Sequence, residues 1–106
     1  MIEVKIPHKI KVGGFDYEIR AGGQHDEELK NHATWGEHSS MGRYLRFDSN
    51  MKPQQASKTF MHECIHAINA IYVNDELTEG QTQALSQGML QLMEQLGIRF
   101  VLPQVK

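Results

Sequence analysis

Three observations predict an α+β fold in which a small antiparallel β-sheet, an N-terminal hairpin plus a third strand, packs on two C-terminal helices. Apolar residues alternate with polar ones in the first half of the chain and recur at helical spacing in the second. A Gly-Gly pair separates the first two alternating runs, and a capping pattern opens the last helix. At 106 residues and 40% hydrophobic content the expectation is one domain, residues 1–106, with a modest core.

Ile10 and Val12 alternate before Gly13-Gly14, and Phe15, Tyr17 and Ile19 alternate after it. Two glycines between such runs signal a hairpin, because the tight turn needs positive φ at both central residues. Ile2, Val4 and Ile6 extend the first strand back from Pro7. Residues 21–40 show neither period and read as loop with at most one short helical turn. Residues 43–48, Arg-Tyr-Leu-Arg-Phe-Asp, read as the third strand.

Pro53 suits a first helical position, and residues 54–73 contain no glycine or further proline to stop the helix before Asn74-Asp75. Thr78 opens the second helix as a capping box: its hydroxyl accepts from the Gln81 amide while the Gln81 side chain reaches back. Leu85, Met89, Leu92, Met93 and Leu96 mark the expected buried stripe of that helix, and Gly97 is its stop. Residues 98–102 read as a short last strand or an extended tail.

A formal net charge of -2 with both signs interspersed leaves no basic stripe, so neither nucleic acid nor an anionic membrane surface is an expected partner. The N-terminus lacks a leader pattern, and no apolar run approaches the roughly 20 residues of a membrane helix. A single cysteine, Cys64, excludes an internal disulfide framework and fits a reducing compartment, so the expected location is cytoplasmic. The sequence leaves the oligomeric state open.

Chemistry concentrates in His62-Glu63-Cys64-Ile65-His66 on the first helix. Residues advance by about 100° each, which places Phe60, Met61, Cys64, Ile65, Ile68, Ile71 and Tyr72 in one arc of about 140°, the expected core face. His62 and His66 fall just past its edge, with Glu63 beside them. Two imidazoles separated by roughly 6 Å of helical rise can converge on one zinc ion at 2.0–2.1 Å. Glu63 cannot point to the same place, but it can take a proton from a metal-activated water, so its expected role is general base and later proton donor. The pattern arises by chance in about one chain in forty of this composition, so its helical setting has to support it.

A catalytic zinc takes three protein ligands and leaves one position open. Glu79, at the start of the second helix, is the candidate third ligand; Glu76 and one of His25, His32 or His38 compete with it. Cys64 reads as core. Asn69, three residues past His66, either orients a ligand or faces solvent, and Trp35 reads as a lid over the core. Tyr17, Tyr44, Tyr72, His32 and His38 could each stabilise an oxyanion, and nothing selects among them.

Residues 59–93 resemble the small zincin-type proteins common in bacteriophage and prophage genomes, and more distantly the ImmA/IrrE metallopeptidases. The shared pattern is a helix with H-E-x-x-H, a short turn, and a glutamate opening a second amphipathic helix. Thr82 and Gln83 depart from it, standing where a small apolar residue and Asn are usual. Residues 10–19 resemble the family's opening hairpin, and Gly36-Glu37 with the following strand resembles the segment before its motif helix. The resemblance implies a minimal gluzincin-like fold, a Zn2+ cofactor held by His62, His66 and Glu79, and hydrolysis of peptide bonds with Glu63 as the catalytic residue. It also implies a narrow protein substrate that adds as a strand to a sheet edge, residues 43–48 being the expected edge. The alternative is a non-catalytic, metal-stabilised phage or host interaction domain with the same fold.

Overall fold

The computed structural model describes residues 1–103. Its elements run β1 (Ile2–Lys5), β2 (Lys9–Val12), β3 (Phe15–Ala21), α1 (Gln24–Asn31), β4 (Gly36–Ser39), β5 (Tyr44–Phe47), α2 (Pro53–Tyr72), α3 (Glu79–Gln95) and β6 (Ile98–Val101). The α+β class holds. The β2–β3 hairpin turns at Gly13 and Gly14, whose φ values of 59° and 91° meet the demand for positive φ. A Cβ at Gly13 would also lie 2.2 Å from Ile71 Cγ2, so this turn abuts the end of α2.

The sheet is not purely antiparallel. Its order is β2-β3-β5-β4, and β5 runs parallel to β3 while the other neighbours are antiparallel. A parallel pair needs a crossover of about a dozen residues or more, and residues 22–43, most of them within the 21–40 stretch expected as loop, supply it through α1 and β4. Only Leu29 of α1 is buried, and β4 (Gly-Glu-His-Ser) carries no apolar side chain, so neither displays a readable period. As a consequence β5 is interior and β4 is the edge, which corrects the expectation that residues 43–48 form the exposed edge. The N-terminal run does not extend β2 either. Beyond Pro7 the chain changes partner, and β1 forms a separate two-stranded parallel sheet with β6.

The core lies between the sheet and α2. Tyr17, Ile19, Leu45 and Phe47 from the sheet meet Ala56, Phe60 and Ala67 from α2. Phe60 sits 5.9 Å from the Phe47 ring and 5.1 Å from Phe100, joining the larger sheet to β6. Fully burying each such ring stabilises the fold by about 1.5–3 kcal/mol, so Phe60 fixes how α2 lies on the sheet. No helix among the described residues is long and apolar enough to cross a membrane.

The turn after α2 uses Asn74 and Asp75 at φ 54° and 58°, a left-handed conformation these residue types tolerate. The Asp75 amide donates to the Asn69 carbonyl at 3.0 Å, and α3 folds back beside α2. Thr78 caps α3 with the full reciprocal box to Gln81, and Gly97 follows the helix at φ 78°. The face α3 turns inward is not the expected one. Thr82, Ser86 and Leu90 are buried, whereas Leu85, Met89, Leu92 and Leu96 are exposed. Small side chains at Thr82 and Ser86 let the helices approach closely, and that approach brings Glu79 to the histidines. The apolar arc of α2 also shifts: Ile68 and Tyr72 are exposed, and Glu63, beside Gly36 of β4, is buried.

Candidate metal centre

His62 and His66 stand one turn apart on α2, both half-buried, with their Nε2 atoms 3.1 Å from each other. Glu79, the first residue of α3, places Oε1 3.0 Å from His62 Nε2 and Oε2 3.2 Å from His66 Nε2. Among the described residues these three form a group whose ligand atoms all lie within 4.8 Å of one another. Donors bound at 2.0–2.2 Å to a tetrahedral ion sit about 3.3–3.6 Å apart, so each side chain needs to open by only a few tenths of an ångström to accept zinc. Burial and the neighbouring His62 hold His66 below the usual imidazole range although Glu79 and Asp75 oppose this, which favours the neutral, ligating form.

Surrounding residues set this geometry. Ser86 Oγ donates to the Gln83 carbonyl at 2.9 Å and lies 3.5 Å from His62 Nδ1. A proton on His62 Nδ1 satisfies that contact and leaves the Nε2 lone pair facing the site. Asn69 is buried and clamps the turn: its Oδ1 accepts from the Leu77 amide at 3.1 Å, and its Nδ2 donates to the Leu77 carbonyl at 3.3 Å. Of the two roles open to it, Asn69 thus takes the orienting one, acting through the turn that delivers Glu79.

The competitors of Glu79 lie elsewhere or play other parts. His25 is in α1, and His32 Nδ1 pairs with Glu37 Oε2. Glu76 lies outside the group of three. His38 stacks beside His66, its ring nearly parallel at 5.9 Å, with Tyr17 6.1 Å away on its other contact. Of the candidates for stabilising an oxyanion, Tyr17 is fully buried, Tyr44 lies under the Arg20 guanidinium, and Tyr72 is exposed at the end of α2. His38 alone of the five lines the recess that also contains Glu63 and His66.

Glu63 is only 6% exposed. Burial, with further push from Glu79 and Glu37, raises its carboxyl from an ordinary 4.5 to about 8. Gly36 makes this packing possible, since a Cβ there would stand 2.6 Å from Thr59 and 3.3 Å from Glu63 Cγ. Edge strand β4 therefore runs directly alongside the motif. A cleft of about 240 Å³ opens over His62, Glu63 and Glu79, walled by Trp35, Lys58 and Gln83. Trp35 is thus a cleft wall, 49% exposed, and not a lid over the core.

Glu37, one residue on from Gly36, has a different setting. Arg46 donates to it from Nε at 2.9 Å and Nη2 at 2.6 Å, and also reaches Glu28. Burial works against its charge, but the hydrogen bonds from Arg46 and His32 hold Glu37 below the usual carboxylate range. Cys64 is a packing residue: burial and Glu63 raise its thiol to about 12, which removes the nucleophilic thiolate. The sequence carried no signal for Ser86 or Lys58. Comparison with protein-family models, with curated proteins and with solved structures gives no match for this chain, so what the site can do is decided by its own residues.

Proposed function

We propose that this chain is a zinc-dependent hydrolase of peptide bonds, a peptidase of the zincin type, in which His62, His66 and Glu79 hold the metal and Glu63 moves the proton. One observation carries this reading. Three donors converge while a second carboxylate, Glu63, is buried beside them and brought to about 8 without joining the group. A purely structural site needs the ligands but has no use for such a base.

Zinc, when bound, supplies a Lewis acid that polarises the scissile carbonyl and makes water acidic near neutral pH. Glu63 accepts a proton from water in the cleft and returns it to the leaving nitrogen; a cation bound by Glu79 and the histidines would offset the push that Glu79 exerts on its carboxyl and favour the ionised form a base needs. Ser86 keeps His62 turned toward the donors, and Asn69 keeps Glu79 in place. The outer edge of β4 offers backbone groups to an extended substrate beside Glu63. The proposed substrate is one protein or a few, the location cytoplasmic, and the kinship that of the bacteriophage zincin-type proteins.

A second reading, a non-catalytic metal-stabilised interaction domain, is favoured by the size of the cleft. About 240 Å³ lies below the roughly 300–1,000 Å³ of most ligand pockets. Metal analysis by plasma mass spectrometry, combined with cleavage of an unstructured peptide library, separates the two. Wild type is expected to carry near one zinc per chain, His62→Ala none, and Glu79→Gln less. Glu63→Gln is expected to keep the zinc and lose hydrolysis by about 10²–10⁴-fold. Zinc retained with no cleavage by wild type would favour the second reading. No zinc uptake in wild type would sink both.

A further inference from the structure

A second recess, of about 430 Å³, adjoins the cleft over the metal ligands, with Lys58 bordering both, so one groove runs between α2 and α3 away from the site. Its α3 wall is a ladder of amides. Gln83 lines the cleft, and Gln87, Gln91 and Gln95 line the recess, each four residues after the last. Gln83, Gln87 and Gln91 each follow an inward-facing residue, Thr82, Ser86 or Leu90, which keeps the ladder alongside the α2 contact. All four glutamines are exposed.

Spacing decides what such a ladder fits. Four helical residues rise about 6 Å, and two residues of an extended chain advance about 6.4–6.8 Å. Successive amides therefore meet the backbone of every second residue of an extended peptide. A side-chain amide both donates and accepts, so it pairs with a peptide N–H or C=O whatever side chains the peptide carries. The ladder is about 18 Å long, the length of about five or six extended residues. A folded surface offers no such repeat, because its backbone groups are already paired.

Direction and charge narrow the occupant further. Gly36 lies against Thr59 and Glu63, and His38 against His66, so β4 runs alongside α2 in the same sense. A chain paired with the β4 edge and leaving at its Gly36 end thus heads for the N-terminal half of α2, where Lys58 and the second recess lie. Lys58 is exposed and is the only cation among the described residues that line either recess. One cation is too few to hold a polyphosphate backbone, but it is enough to select one carboxylate. Glu94, also lining the recess, opposes a second carboxylate deeper in the groove.

We propose that the groove between α2 and α3 is a second arm of the substrate site, where the Gln83–Gln87–Gln91–Gln95 ladder binds an extended, unfolded polypeptide segment by its backbone and Lys58 selects an acidic residue beside the metal cleft. It rests on the peptidase reading for what happens to the segment, but binding and hydrolysis are measured apart.

The probe is a mixture of random peptides of about twelve residues, which span about 40 Å when extended. Peptides retained by the Glu63→Gln chain as purified are sequenced by mass spectrometry, and fluorescence anisotropy gives their Kd. Retained peptides are expected to favour Asp or Glu at one position, and Lys58→Glu is expected to reverse that preference to Lys or Arg. Gln87→Ala with Gln91→Ala is expected to weaken binding by at least about tenfold. Ala84→Gln, an amide on α3 outside the groove, is expected to change it by less than about twofold. The Lys58→Glu arm is independent of folding, since a reversed preference cannot come from lost structure. No retention, no acidic preference, or affinities indifferent to the ladder variants would each overturn the groove, even if wild type cleaves peptides. Binding that depends on the ladder and Lys58, with no cleavage by zinc-loaded wild type, would uphold the groove and overturn the peptidase reading instead.

Discussion

Glu63 and Glu37 line the same recess, yet their settings are opposite. Glu37 takes three hydrogen bonds from Arg46 and His32 and is held as an anion. Glu63 lies beside two further carboxylates, Glu37 and Glu79, and is raised to about 8. Glu63 is the more deeply buried of the two, and that burial is the largest push on its carboxyl; burial also works against Glu37, but there the hydrogen bonds from Arg46 and His32 outweigh it. Arg46 turns one carboxylate into a permanent tie between α1, β4 and β5, and the lack of such a partner leaves the other free to exchange a proton near neutrality.

The sharpest way to test this contrast is pH. Glu63 binds its proton more tightly in the folded chain than in the unfolded one. Its contribution to stability is therefore complete below about 4.5 and is lost as pH rises through about 8. Chelator-treated wild type should lose on the order of 2–4 kcal/mol of unfolding free energy across that window, and Glu63→Gln should not. Urea melts at both ends of the window read the difference; parallel profiles would mean that Glu63 titrates normally.

Breaking the other half of the comparison costs somewhat less. Arg46→Ala leaves Glu37 partly buried without its guanidinium and is expected to destabilise the fold by about 2–3 kcal/mol, measured by the same melts. An unchanged midpoint would show that the tie contributes nothing net. The smallest effect is expected at the turn. Asn69→Ala frees Leu77 and loosens the delivery of Glu79, so zinc affinity should fall by about tenfold with the fold intact. Competition with a chromogenic chelator measures this, and unaltered affinity would remove Asn69 from the site.

The helical half of the molecule was legible because its signals are local. Pro53, the Asn74-Asp75 turn, the Thr78 capping box and Gly97 each act within one turn of chain, and each stands where local chemistry expects it. The pairing of His62 and His66 was legible for the same reason, since both come from one helix; Glu79, the first residue of the next, was one candidate among several until α3 was seen to fold back on α2. The segment 21–40 was not, because α1 buries one apolar residue and β4 none. Their placement depends on Arg46, which reaches Glu28 and Glu37 from β5. No periodicity encodes such a tie.

By itself, then, the sequence determined the α+β class, the bounds of the two long helices and the pairing of His62 with His66, with Glu79 one candidate among several for the third donor. Those features follow from propensity, capping and the fixed angular step of a helix. Tertiary structure alone decided that β4 and not β5 forms the edge beside Glu63, and that Glu63 is buried while Leu85, Met89, Leu92 and Leu96 are not. An apolar stripe states only that a face should leave water. Which face wins is set by close packing, and here the small side chains of Thr82 and Ser86 took the inner position, where α3 lies against α2 with Glu79 beside the histidines.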